Sequence, residues 1–192
     1  MRGLRFTNML STISDYLHLI ATGLAIATIV VADTRLTIKL LASGGVVPPP
    51  NRLETVLVTA ALLALCATGA VLIASGLSAK PGYLDNAKLK AKLLLVSVLA
   101  LNAWVLHFRV FPILRLSQPV STWSRVQWVT VTGSASLSTS MWLYCAFLGL
   151  TKSWNFSVSV WFVLAVGLTL WAAAFSAVNA VLLLASRRAF PP

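Results

Sequence analysis

A chain of 192 residues with 58% hydrophobic and only 10% charged side chains cannot clothe a water-facing surface, which excludes an ordinary soluble domain. Its formal charge of +11 comes from 15 Lys and Arg against 4 Asp and Glu. The basic residues flank apolar stretches instead of gathering on one soluble element, so they read as anchors to anionic headgroups and exclude a nucleic-acid-binding reading.

The segment 1–14 carries Arg2 and Arg5 but no apolar region followed by a small-residue cleavage site, and it is expected to be retained. A first span is expected over 15–42, stopped by Gly44, Gly45 and Pro48-Pro49-Pro50. The second is expected over 53–76, ending before Lys80-Pro81-Gly82, and the third over 89–111. After the longest connection on its side, Trp123 and Trp128 mark the return to the interface, and a fourth span is expected over 127–150. Trp154 and Trp161 play the same part before a fifth span over 157–186. Each stretch exceeds the roughly 20 apolar residues that cross a bilayer. The expectation is an all-α polytopic transmembrane helical bundle of five spans, one integral membrane domain over 1–192, with termini on opposite sides. Cys66 and Cys145 fall inside spans without metal-motif spacing and read as small packing residues.

Orientation is not legible from charge. The N-terminal side holds Arg2, Arg5, Lys80, Lys88, Lys90, Lys92 and Lys152, seven cations, against eight on the other: Arg35, Lys39, Arg52, Arg109, Arg115, Arg125, Arg187 and Arg188. The Lys88, Lys90, Lys92 cluster abutting a span inclines towards a cytoplasmic N-terminal side.

The fourth span differs in character, with Thr130, Thr132, Gly133, Ser134, Ser136, Ser138, Thr139 and Ser140 crowded into its first half. Small and hydroxylated residues let helices approach closely, and Ala172, Ser176 and Ala180 repeat a small residue every fourth position on the fifth span. Spans four and five are therefore expected to pack together near the centre, a hydroxyl-lined cavity being the alternative.

Ionisable residues within spans usually face the protein interior. At roughly 100° per residue, Asp15, His18, Thr22 and Asp33 fall within one stripe of about 60° on the first span. Depth alone assembles two clusters. One, near the N-terminal side, is Asp15 and His18 with Lys92; the other, in the opposite half, is Asp33, Arg35, Asn102, His107, Ser136 and Asn179. Asp33, Arg35, Asn102 and Asn179 are expected to meet, as a network locking the first span to the third and fifth or as a proton or small polar ligand site. Two histidines suggest a bis-histidine b-type haem, but His18 and His107 lie on the order of 15–20 Å apart in depth at about 1.5 Å per residue. A single-histidine haem or one shared across an oligomer remains the cofactor alternative, and none is favoured. No nucleophile elbow, phosphate-binding loop, metalloprotease motif or catalytic carboxylate pair is present, so an enzyme is the least supported class.

Three stretches carry a resemblance: Tyr16-Leu17-His18-Leu19 with Gly23 and Asp33-Thr34-Arg35-Leu36; Ala91-Lys92-Leu93-Leu94-Leu95 with Leu101-Asn102-Ala103 and Leu106-His107; and Ser138-Thr139-Ser140-Met141-Trp142 with Ala146-Phe147-Leu148-Gly149. Spread over about half the chain, they resemble a family of small bacterial polytopic inner-membrane proteins, distantly similar to the copper-resistance D type membrane domain. The resemblance implies a helical membrane bundle and brings no established activity. Met-rich or Cys-rich copper ligands are missing, the methionines being Met1, Met9 and Met141. The expected function is that of a non-enzymatic membrane component in the bacterial inner membrane. Its expected partners are lipids and other membrane subunits or itself. The alternative is a small redox, proton-handling or transport protein using His18 and His107.

Overall fold

In a computed structural model, which describes residues 2–43 and 45–189 and side chains over 9–43 and 45–186, the chain is helical almost throughout. Five long helices follow one another: α1 Arg2–Ala42, α2 Arg52–Ala79, α3 Ala87–Arg115, α4 Arg125–Leu150 and α5 Val160–Ala189. No strand occurs among the described residues. The side chains of Arg2, Arg5, Arg187 and Arg188, and Gly44 altogether, lie outside what is described.

Local chemistry sets the boundaries. Asn51 accepts from the Leu53 amide and Glu54 reaches back to the Asn51 amide at 3.3 Å, closing a capping box that starts α2. Ser124 and Gln127 form the same device at the head of α4, and Asn86 caps α3. Gly45 turns the chain after α1 at φ +91°, a left-handed conformation that glycine adopts without a Cβ penalty. Helix α1 begins well before the expected residue 15. Its 41 residues amount to about 60 Å at 1.5 Å each, twice a hydrocarbon core.

Among the described residues, four helices are long and apolar enough to cross a membrane: α1 from Met9, α2, α3, and α5 to Ser186. The expectation of five apolar spans is thus met in four. The exception is α4, whose hydroxyls lower its hydropathy yet bond to its own backbone: Thr132 to the Trp128 carbonyl at 2.9 Å, Ser136 to Thr132 and Ser140 to Ser136 at 2.7 Å. It is also the most enclosed helix. Thr132, Ser136 and Leu148 are fully covered, and Met141, Trp142 and Tyr144 nearly so.

The packing divides in two. Helices α1 and α2 form a tight antiparallel hairpin, while α4 packs between α3 and α5. Tyr144 donates to the Val163 carbonyl at 2.8 Å, and Gly167 lets the Tyr144 ring lie against α5. The expected pairing of spans four and five is present, but through another face. Ala172, Ser176 and Ala180 are exposed, and α5 meets α4 with Val163, Gly167, Trp171 and Asn179 instead. At one end the loops around 80–86 and 151–159 are stitched together. Asn86 donates to Asn155, Lys88 Nζ to the Thr151 carbonyl at 2.9 Å, and Lys80 sits over the Phe156 ring. At the other end the Val120 amide donates to the Gly45 carbonyl at 2.8 Å.

Candidate functional site

The two packing units do not close on each other everywhere. Between the α1–α2 hairpin and α3–α4 lies a cleft of about 440 Å³, walled by Val58 and Leu62 of α2, Leu99, Trp104 and Phe108 of α3, and Trp142 of α4. That size falls within the range of small-molecule sites. The polar groups on this apolar wall include Asp33, Glu54, His107 and Ser138.

Helical geometry explains how Asp33 and Arg35 come to separate partners. Two residues apart, their side chains diverge by about 200°, so they cannot face one neighbour. Asp33 turns to α4, where the Thr139 hydroxyl donates to Oδ2 at 2.5 Å. Arg35 turns to α2 and pairs with Glu54 at 2.6 Å, with side-chain exposures of 29% and 16%. The Arg35 Nε–H is buried without a partner.

His107 lines the cleft one turn after Ala103, where α3 changes pitch. Leu106–Val110 form a π turn, in which the Phe111 amide bonds the Leu106 carbonyl five residues back. Pro112 follows directly; it has no N–H for the Phe108 carbonyl and its ring crowds that oxygen, so a widened turn accommodates it. The His107 ring packs at a tilt against Phe111, centroids 5.0 Å apart, and Nδ1 lies 2.9 Å from the Ala103 carbonyl. A carbonyl only accepts, so Nδ1 carries a proton.

The network expected among Asp33, Arg35, Asn102 and Asn179 is not the arrangement found. Asn102 is buried and donates to the Ser134 carbonyl at 2.9 Å, while Asn179 accepts from the Trp128 indole at 2.5 Å. Ser136 is consumed within α4. Equal depth does not bring side chains together when they leave their helices in different directions. The stripe on α1 is divided for the same reason. Asp15 is exposed, His18 faces α2, and Asp33 faces α4.

His18 Nδ1 lies 2.8 Å from the Thr68 hydroxyl. That hydroxyl spends its proton on the Ala64 carbonyl at 2.7 Å, so it accepts from a protonated Nδ1. The Lys92 ammonium is within electrostatic reach of His18 and of Cys145, and lies beside Gly149 near the end of α4. His18 and Lys92, expected together with Asp15, have Thr68 and Cys145 as further neighbours. On α2, Thr68 marks the level of His18, and the cleft lining runs from Glu54 to Leu62, which is about 9–21 Å away at 1.5 Å per residue. One haem cannot take both histidines, and no group of three or more His, Cys, Asp or Glu converges among the described residues.

Glu54 and Thr139 were the residues missed. Glu54 stands two residues into an expected span, and its signal was the Asn51-x-x-Glu54 cap; Thr139 was hidden among seven neighbouring small or hydroxylated residues. No family model matches the chain, and no curated protein or solved structure matches it either. What the molecule defines by itself is a helical membrane protein with an acid-bearing cleft.

Proposed function

We propose that this chain is a non-enzymatic, five-span protein of a bacterial inner membrane, with termini on opposite faces, which holds a small molecule in the cleft between the α1–α2 hairpin and α3–α4. The cleft is the observation that carries the reading: a cavity of about 440 Å³ with apolar walls and convergent polar groups. Helix α4 serves as the fifth span on this reading. Its 26 residues reach about 39 Å, and its hydroxyls bond inward rather than to lipid. The stitched loop pairs at two ends support helices that alternate in direction. The motif resemblance to the copper-resistance D type membrane domain enters only as support for a helical bundle.

Native mass spectrometry from lipid nanodiscs tests the cleft. A small-molecule adduct is expected on the parent and absent from Ala103→Trp, which fills the cleft; equal adducts on both would refute it. Reporter fusions at the two termini test the topology, and signals from one compartment would overturn five spans.

A second reading, an accessory subunit or self-associating bundle, is favoured by α2, which packs chiefly along α1 and leaves its other faces to lipid or a partner. The same mass measurement separates the two. A stoichiometric larger assembly supports the accessory role, and a lone ligand-bearing monomer defeats it.

A further inference from the structure

The charges are distributed against the composition of the chain. It has 15 Lys and Arg against 4 Asp and Glu, yet among the described residues two of those four acids line the cleft and no Lys or Arg does. Glu54 is already engaged by Arg35 at 2.6 Å. Asp33 accepts from the neutral Thr139 hydroxyl, and the salt bridges among the described residues, Arg35–Glu54 and Lys90–Asp85, leave it without a cation. A carboxylate beside apolar walls is costly to ionise alone and regains that cost when a cation arrives. Trp104, Phe108, Phe111 and Trp142 offer aromatic surface in the same space, which attracts a cation and excludes an anion.

We propose that the cleft takes a lipophilic organic cation, with the Asp33 carboxylate as its counter-charge. The proposal rests on the cleft reading above and names the ligand class for that site. An inorganic cation fits poorly, because a hard metal ion wants six or more oxygen ligands and the walls are mostly hydrocarbon. An organic cation replaces those ligands with its own apolar bulk against Val58, Leu62 and Leu99.

The test uses the full chain purified in detergent and two ions of the same shape and opposite charge, tetraphenylphosphonium and tetraphenylborate. Equilibrium binding should be saturable for the phosphonium and absent for the borate. Asp33→Asn, which can still accept from Thr139, should weaken phosphonium binding by at least about tenfold, the loss of one charge-assisted contact. The comparison of the two ions on the parent protein keeps the test decisive even if that variant fails to fold. Equal saturable binding of both ions, or undiminished binding to folded Asp33→Asn, overturns the cation assignment and leaves the cleft reading standing. If neither ion binds the parent and the nanodisc adduct is also missing, both readings fail.

Discussion

Arg35 of α1 pairs with Glu54 of α2, which lines the cleft, so their coupling tests how the α1–α2 hairpin is secured. The pair is a charge-assisted bond of 2.6 Å with exposures of 29% and 16%, neither a fully wet surface pair nor a dry one. Charge-assisted bonds contribute about 1.5–3 kcal/mol and exposed pairs about 0–1 kcal/mol, so a coupling near 1.5 kcal/mol is expected. Arg35→Leu alone leaves the Glu54 carboxylate at the cleft with the Asn51 amide as its remaining donor, and should cost about 2 kcal/mol. Glu54→Leu also removes the reciprocal half of the capping box, adding roughly 0.5–1 kcal/mol. The double variant should recover much of the loss, because two apolar side chains carry no desolvation cost. Equilibrium unfolding in mixed micelles, followed by circular dichroism, gives the four free energies of the cycle. If the single effects add within about 0.5 kcal/mol, the two residues are uncoupled and the clamp does not exist in solution.

Three further outcomes are expected. Gly167→Leu should destabilise the bundle by about 1–3 kcal/mol, since even a Cβ there would stand 3.1 Å from the buried Tyr144 ring; a parental melting temperature would show that α4 and α5 are not so close. Asn102→Leu should cost about 0.6–1.7 kcal/mol by removing the bond to the Ser134 carbonyl, measured by the same unfolding assay, and a neutral effect would argue against that α3–α4 contact. The absorption spectrum of the purified protein should lack a Soret band; one abolished by His18→Ala or His107→Ala would instead make this a b-type cytochrome.

The all-helical membrane character was legible in residue order alone, because bilayer thickness and the need to satisfy every backbone group leave few alternatives for apolar stretches of this length. Turn residues such as Gly45 and Gly82, and the Trp123 and Trp128 flank, marked the loops for equally local reasons. Residue order also named most of the polar groups, since a charge within a span is conspicuous anywhere. It did not name their partners. Asp33 was expected beside Asn102 and Asn179, and found Thr139; Arg35 was expected beside Asp33, and found Glu54. Depth follows from counting residues along one helix, whereas a partner depends on rotation about two helix axes and on which helices are neighbours. The exposed Ala172, Ser176, Ala180 stripe was misjudged for that reason, and the π turn at Leu106–Val110 shifts the rotation of the residues after it. The cleft itself belongs to no segment: its walls come from α1, α2, α3 and α4 together, and only packed helices can leave such a space.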